Sequence, residues 1–185
     1  QFEINISISI NSNNIMNEKD NLNFSPNLII SFSKDKNLQI HDSKNYSLIK
    51  KIVNSNIIVC MDFFYYSKNE FLIVFGDFGG NIKSYKNYEE IKTIKASNDC
   101  IITVKYSKDG KYIISLDNEG KVNCWNTESF EKFTSWNNQI HSNKFYYSKD
   151  MICFYYKEKY KFLTCNTTID GKNSLIVELK IGENK

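Results

Sequence analysis

The stretch YSKDGKYIISLDNEGKVNCWN, Tyr106 to Asn126, holds two apolar segments joined by a short polar turn, and related stretches return along the chain. A serine precedes the first apolar segment of each copy, at Ser25, Ser67, Ser107 and Ser148, with spacings of 42, 40 and 41 residues. A constant period of this size indicates one structural unit repeated four times. The repeat predicts architecture, whereas the specific biological role of the chain does not follow from it.

The apolar segments of each copy have the composition of β-strands. They are rich in Ile, Val, Phe and Tyr, which half-buried pleated surfaces prefer. The first segments are LIISF, FLIVF, YIISL and MICFYY, which begin at Leu28, Phe71, Tyr112 and Met151. Two more strand-like segments follow each of them and one precedes it. No window longer than about ten residues keeps the apolar spacing of a helix. Each copy is therefore predicted to form four short antiparallel strands.

The turns between these segments contain the residues that tight hairpins require. Asp77-Phe78-Gly79-Gly80 and Asp117-Asn118-Glu119-Gly120 place glycine where a hairpin needs a positive φ. Asp109-Gly110 does the same one turn earlier in the third copy. The corresponding YSKDM, Tyr147 to Met151, is predicted to be a poorer version of that turn.

With these features the chain resembles the WD-repeat family of β-propellers. Its period and its four strands per unit match the blades of that family. Trp125-Asn126 resembles a degenerate form of the family's Trp-Asp dipeptide, and His41-Asp42 and Tyr85-Lys86 occupy the same place in their copies. The resemblance extends over nearly the whole chain and implies a propeller fold.

The copies also depart from the family pattern. Asp77 and Asp117 match the family's turn aspartate, but Ser33 stands there in the first copy. The chain has no Gly-His dipeptide, and His141 is the histidine nearest to the expected position. The resemblance therefore implies that the aspartate–histidine hydrogen bonds of well-formed blades are mostly missing.

The predicted fold is an all-β propeller with about four blades of four antiparallel strands. The predicted blades cover about 21–52, 57–95, 100–136 and 141–181 of one domain, 1–185. Residues 2–10 alternate between apolar and polar and predict an extra N-terminal strand. That strand either ends a preceding blade or closes the final one. Four blades alone would expose apolar faces, so we expect part of a larger, seven-bladed ring, or a ring that a partner chain completes.

The composition argues against several classes of function. The 24 basic residues are all lysine and the net charge is +3, so the forked contacts of arginine with phosphates and bases are missing. Nucleic acid is therefore not the expected partner. No apolar run approaches the ~18 residues of a membrane span, and none is expected in this chain. The five cysteines are odd in number and are expected to be free thiols of a reducing compartment, with disulfides as the minor alternative.

Groups that could support catalysis are scarce. The two histidines, His41 and His141, lie in different copies, and we expect structural roles for both. The glycine-rich segment Gly76 to Gly80 lies in a β-turn and opens no helix, so it offers no helix N-terminus to a phosphate. No hydrolase elbow, zincin motif, P-loop or metal-ligand spacing occurs. We expect no catalytic residue, cofactor, metal ion or small-molecule substrate.

Recognition of protein partners remains as the expected activity. Aromatic side chains in loops are the best candidates, because aromatic anchors often dominate the energy of an interface. Phe78 is the first candidate, since it lies at the tip of a turn that does not need it. Tyr88 and Tyr46, near the turns before the third strands, come next. For both tyrosines, packing against the neighbouring blade is the alternative.

The predicted function is a non-enzymatic protein–protein interaction scaffold of an intracellular multi-subunit assembly. The expected location is the cytoplasm, with the nucleus or the cytosolic face of a membrane as alternatives. A propeller-type regulator of vesicle trafficking, of the small-GTPase exchange-factor type, is the alternative function. That regulator would require a catalytic loop and a membrane anchor beyond the given ends. A third option is an RNA-associated assembly factor.

Overall fold

The computed structural model describes residues 28–67, 70–107, 109–137, 145–156, 159–168 and 174–180, and the regular elements in these ranges are β-strands. The first seven are β1 (Leu28–Phe32), β2 (Asn37–Asp42), β3 (Leu48–Val53), β4 (Ile58–Ser67), β5 (Glu70–Asp77), β6 (Asn81–Lys86) and β7 (Glu89–Lys95). The next seven are β8 (Ile101–Tyr106), β9 (Tyr112–Asp117), β10 (Lys121–Asn126), β11 (Lys132–Asn137), β12 (Phe145–Tyr156), β13 (Lys159–Thr168) and β14 (Ser174–Lys180).

The strands form antiparallel sheets in which sequence neighbours are also neighbours in space. The second and third sheets have four strands each, in the orders β4-β5-β6-β7 and β8-β9-β10-β11. Within the described residues, the first sheet is β1-β2-β3 and the fourth is β12-β13-β14. The predicted all-β fold of WD-type, four-stranded antiparallel blades is confirmed.

The first strands of successive sheets lie side by side. β4 contacts β8, and β8 contacts β12. The backbone N–H of Tyr106 donates to the Asp62 carboxylate (2.7 Å), and the Lys105 ammonium lies 3.4 Å from the other carboxylate oxygen. Burial raises the pKa of Asp62 above its ordinary value, although Lys105 and the Tyr106 hydrogen bond act in the opposite direction. This carboxylate links the second and third sheets along their first strands.

Strand β5 is buried on both faces because a sheet packs against each of them. Phe71, Ile73 and Phe75 point into the core between the first and second sheets. Leu72 and Val74, which alternate with them, point into the core between the second and third sheets. Each buried side chain of this size contributes about 1.5–3 kcal/mol. The segment FLIVF therefore holds three successive sheets together.

The two cores define two junctions between sheets. At the first junction, the first sheet contributes Ile30, Phe32, Leu38, Ile40 and Ile52 to the core. At the second junction, the third sheet contributes Ile101, Val104, Tyr106, Ile113 and Trp125. The first set comes from alternating strand positions, as period-2 side-chain placement requires. In β8 a register shift between Ile101 and Thr103 puts Ile101 into the same core as Val104 and Tyr106.

The last strand of each of the first three sheets lies at a sheet edge. Lys50 and Lys51 lie in β3, Lys92 lies in β7 and Lys132 lies in β11. The Lys132 ammonium also lies over the Trp125 ring, 5.3 Å from its centroid. Charged side chains on an edge strand discourage pairing with other chains.

The fourth repeat differs from its prediction at YSKDM. Strand β12 runs through Tyr147 to Met151 without a hairpin, and its pairing with β13 shifts register there. In the third repeat, Gly110 adopts a φ of 73° in the equivalent turn. Met151 stands in the position of that glycine, and a side chain disfavours positive φ. The predicted turn is therefore wrong, and a bulged strand replaces it.

Several predictions fall outside the described residues. These are the extra strand at 2–10, the first repeat serine Ser25, and His141. The blade boundaries at about 21–52, 57–95, 100–136 and 141–181 also remain predictions.

Candidate partner-binding face

The turns between antiparallel strands alternate between two ends of the sheets, which gives the molecule two loop faces. One face, called the upper face, is formed by residues 33–36, 54–57, 78–80, 96–100 and 118–120. The opposite, lower face is formed by residues 43–47, 87–88, 107–111 and 127–131, with 108 not described. Phe78 lies on the upper face, whereas Tyr46 and Tyr88 lie on the lower face. The structure therefore does not bring the three predicted binding residues together.

Phe78 lies at the tip of the β5–β6 turn. Its backbone N–H donates to the carbonyl of Ile57 in the β3–β4 loop (2.8 Å), and Gly80 N–H donates to the carbonyl of Asp77 (3.1 Å). Gly80 has a φ of 77°, which closes the turn. The Phe78 side chain takes no part in these hydrogen bonds and is 66% exposed. The aromatic ring is available to a partner and is not required by the turn.

Asp77 holds the base of this turn from a buried position. Its carboxylate accepts the Asn81 backbone N–H (2.9 Å) and the side-chain amides of Asn54 (3.1 Å) and Asn56 (3.5 Å). Burial raises the pKa of Asp77, but the hydrogen bonds from Asn81, Asn54 and Asn56 together hold it below its ordinary value. The ionised carboxylate fastens the β3–β4 loop to the β5–β6 turn.

Asp117 joins a loop to a turn in the same way at the second junction. It accepts the Ser97 hydroxyl (2.6 Å) and the backbone N–H groups of Glu119 (3.1 Å) and Lys121 (2.8 Å). Asn54 and Ser97 thus supply the loop donor that the histidine supplies in the resembled family. The sequence did not single out either residue, because one is an amide and the other a hydroxyl and they share no motif. The turn aspartate shows only that some hydrogen-bond donor is needed nearby.

The first sheet forms the same turn without glycine. Lys36 adopts a φ of 67° where Gly80 and Gly120 have φ values of 77° and 83°. Asp35 accepts hydrogen bonds from the Ser33 hydroxyl and from the Asn37 side chain (2.6 Å). The Ser33 and Asn37 hydrogen bonds lower the pKa of Asp35. A backbone conformation that glycine favours is thus tolerated here by a lysine.

On the lower face, the second residues of the WD-like dipeptides hold the turns before the third strands. Asp42 accepts the Lys44 N–H (2.7 Å), and Asn126 accepts the Glu128 N–H (2.8 Å). Tyr46 follows Asp42 with a φ of 58°, and its side chain is 71% exposed. The capping role explains why an acid or an amide occupies these two dipeptide positions.

Tyr88 packs against the first core. Its ring meets the Phe71 ring edge to face at a centroid distance of 5.4 Å, and the side chain is half-buried. The Phe71 contact lies within the second sheet, on β5, and is not the packing against a neighbouring blade that the sequence left open. Tyr46 is exposed, and partner contact stays a prediction for both tyrosines.

The first residues of the dipeptides contribute to packing. Trp125 is buried and its indole N–H donates to the Ser115 hydroxyl (3.1 Å). Tyr85 stacks on Phe75 and its hydroxyl donates to Glu90 (2.9 Å). His41, opposite Ile29 in the register, is half-buried. The structure thus gives His41 a place on a strand of the first sheet, outside both loop faces.

A cleft of about 220 Å³ opens on the upper face at the second junction. It is lined by Lys95, Ala96, Ser97, Asn98, Asp117, Glu119 and Lys121. The Lys95 ammonium donates to the carbonyl of Gly79, the residue after Phe78. The cleft therefore adjoins the turn that presents Phe78.

The described residues contain no group of three or more His, Cys, Asp or Glu placed to hold a metal ion. Cys60, Cys100 and Cys124 form no disulfide with one another, and burial raises the pKa of the Cys60 thiol. The glycine-rich segment Gly76 to Gly80 belongs to β5 and its turn, as predicted, and precedes a strand. A helix of the length and apolarity needed to cross a membrane does not occur in the described ranges.

Comparison with known proteins places this geometry among WD-type propellers. No family model matches the chain. Protein SOF1 of Saccharomyces cerevisiae (strain ATCC 204508 / S288c), a WD-repeat protein, is 28% identical over 107 residues, 56% of this chain and 22% of SOF1. The solved structure of U3-55K, a WD40 β-propeller, matches with a TM-score of 0.63 at 12% identity. That match covers 81% of this chain and 48% of U3-55K.

The match to U3-55K shows the fold alone, because a sequence identity of 12% is too low to carry more than the fold. In both comparisons the aligned part spans less than half of the other protein. The WD-type propeller fold is thus established for the described residues, and the activity of the whole protein is a matter for proposal.

Proposed function

We propose that the chain belongs to a non-enzymatic protein–protein interaction scaffold of an intracellular multi-subunit assembly. The proposal agrees with the WD-type propeller fold, which the solved propeller U3-55K also has. The proposed location is inside the cell, in the cytoplasm or the nucleus. The trafficking-regulator alternative receives no support from the comparisons.

The exposure of Phe78 is the observation that supports the proposal best. Asn118 occupies the corresponding position of the third sheet, where its backbone N–H donates to the Cys100 carbonyl (2.9 Å) as Phe78 N–H does to Ile57 (2.8 Å). Lys34 occupies the corresponding position of the first sheet. Lysine and asparagine serve this turn as well as phenylalanine does. An aromatic ring 66% exposed at such a position is typical of an interface anchor.

The two tyrosine candidates differ in exposure and packing. Tyr46 is 71% exposed and is proposed as a second contact, on the lower face. Tyr88 remains a candidate contact whose ring also packs against Phe71, so its replacement tests packing together with binding.

The test is capture of partners by the tagged protein from an extract of its own cells. Phe78→Ala should lose captured proteins while its melting temperature stays within about 2 °C of the wild type, because the ring is exposed. Ile91→Ala, which removes a side chain 43% exposed in β7, is the matched control and should capture normally. Recovery of no stable partner by the wild type, or equal capture by Phe78→Ala, would count against the proposal.

An RNA-associated assembly factor is the second candidate. The similarity to Protein SOF1 and U3-55K favours it over the trafficking regulator. Ribonuclease treatment of the extract separates the two candidates. A directly bound protein partner stays captured after the treatment, whereas partners held through RNA are released.

A further inference from the structure

The two junctions present different side chains at corresponding positions of the upper face. At the first junction, Val53, Ile57 and Phe78 are 73%, 36% and 66% exposed. Val53 pairs with the first residue of β2, and Lys95 pairs with the first residue of β6, so the two correspond. In the same way Cys100 corresponds to Ile57, and Asn118 to Phe78. The first junction is apolar where the second is polar or charged.

The charges at the second junction are not a requirement of the turn. Lys121 and Asn81 each donate a backbone N–H to the turn aspartate, at 2.8 Å and 2.9 Å, so the backbone needs neither side chain. Lys95 is likewise replaced by Val53 at the first junction. Two lysines therefore line the cleft of the second junction without a structural counterpart at the first.

The apolar and the basic regions adjoin each other. The Lys95 ammonium donates to the carbonyl of Gly79, next to Phe78. A Cβ added to Gly80 would lie 2.7 Å from the carbonyl oxygen of Asp99 and closer still to that of Ser97. The β7–β8 loop thus presses directly on the turn that presents Phe78. One short extended chain can contact both regions.

The cleft suits one acidic side chain. Its volume of about 220 Å³ is below the usual range of small-molecule sites, so a single side chain fits it better than a ligand molecule. Glu119 is the exposed carboxylate of the lining, against the two ammonium groups of Lys95 and Lys121. The carboxylate of Asp117 is buried and accepts the Ser97 hydroxyl and two backbone N–H groups. The lining thus holds two lysines and two carboxylates, but the Asp117 oxygens are taken up by these three donors, so the charges open to a ligand are two cationic and one anionic.

We propose that the upper face binds an extended protein segment through two contacts, an apolar side chain on Phe78 and Ile57 and a carboxylate between Lys95 and Lys121. The inference rests on the proposed scaffold function and specifies the chemistry of the partner. The aromatic contact supplies the anchor, and the lysines select a segment with an acidic residue within a few positions of the apolar one.

The experiment is selection of a random dodecapeptide phage library on the immobilised protein. Enriched sequences are then synthesised with a fluorescent label and measured by anisotropy. We expect an excess of Asp or Glu close to an aromatic or aliphatic residue. Lys95→Glu and Lys121→Glu should each weaken such a peptide about fivefold or more, and rising salt should weaken it as well. Lys92→Glu makes the same charge change on β7 outside the cleft and should bind normally.

Each other outcome overturns the inference in a distinguishable way. Two results would remove the carboxylate contact while the scaffold function stands. One is enrichment of peptides that need Phe78 but have no excess of Asp or Glu. The other is undiminished peptide binding to Lys95→Glu and Lys121→Glu. Absence of any enriched peptide sensitive to Phe78→Ala removes the docking surface altogether. A labelled single-stranded RNA gives the third outcome. If the RNA binds tightly, competes with the peptides and no longer binds Lys95→Glu, the lysines belong to an RNA site instead.

Discussion

The first and second junctions of the molecule share one backbone arrangement but expose different side chains. In both, a turn aspartate accepts the backbone N–H four residues later, at 2.9 Å for Asp77 and 2.8 Å for Asp117. In both, a glycine with positive φ closes the turn, Gly80 at 77° and Gly120 at 83°. The residues compared around these shared positions, Val53, Ile57 and Phe78, are apolar at the first junction, and their counterparts are polar or charged at the second.

The difference separates what the fold needs from what it leaves open. Positions that the junctions share are buried, hydrogen-bonded or strained in their backbone, so substitutions there should destabilise the protein. Positions at which they differ, such as Phe78 and Asn118, are exposed, and their backbone N–H groups make the same hydrogen bond at both junctions. Substitutions at those positions should change binding and leave stability nearly unchanged.

The largest effect is expected at the turn glycine of the first junction. Gly80→Ala should lower the free energy of unfolding by about 3 kcal/mol or more, because the added Cβ meets the carbonyls of Ser97 and Asp99 at a positive φ. Lys36→Gly, at the equivalent turn of the first sheet, should raise it by about 0.5–1 kcal/mol. Urea unfolding measures both. A Gly80→Ala protein as stable as the wild type would show that the β7–β8 loop does not press on this turn.

The buried carboxylate of the first junction gives the next largest effect. Asp77→Ala should cost about 3 kcal/mol, since Asn54, Asn56 and Asn81 lose their common acceptor. The pKa of Asp77 is lower in the folded state than its ordinary value. Its stabilising contribution is therefore present above the ordinary pKa and is lost as the pH falls through the folded one.

Unfolding in urea across a pH series tests this linkage. The wild type should lose stability as the pH falls below about 4, and Asp77→Asn should show a shallower loss in that range because it no longer titrates there. Equal acid dependence of the two proteins would assign the effect to other carboxylates.

A smaller difference in stability is expected between variants of Trp125 and Tyr85, the dipeptide residues that face the two cores. Trp125→Phe leaves the buried Ser115 hydroxyl without its indole donor and should cost about 1.5 kcal/mol. Tyr85→Phe removes a hydrogen bond to Glu90, whose side chain is 45% exposed, and should cost about 0.5 kcal/mol. Thermal unfolding of the matched pair gives the ranking. The opposite ranking would contradict the burial difference between the two sites.

Local patterns were sufficient for the parts of the fold that depend on local chemistry. The repeat period and the β-rich segments predicted the four-stranded sheets, and Gly110 and Gly120 marked turns with positive φ. The same reasoning failed at YSKDM, where Met151 replaces the glycine and the strand continues. It also gave no sign that Lys36 adopts a φ of 67°, because nothing in the residue type requires it.

The contacts between sheets were beyond the reach of the sequence. Asn54 and Ser97 are polar loop residues whose role appears only when a turn of the next sheet comes within hydrogen-bonding distance. The packing of Tyr88 on Phe71 and the cleft between Lys95 and Lys121 likewise depend on segments that are distant along the chain. Phe78 could be singled out as a candidate because its own turn has no use for its side chain.

The most direct test exchanges the residue that differs at the two turn tips. Phe78→Asn gives the first junction the side chain that the second has at Asn118, with an unchanged backbone. We expect a free energy of unfolding within about 0.5 kcal/mol of the wild type, together with loss of the captured partner. A drop of about 2 kcal/mol with capture intact would show that Phe78 belongs to the fold and not to the binding face.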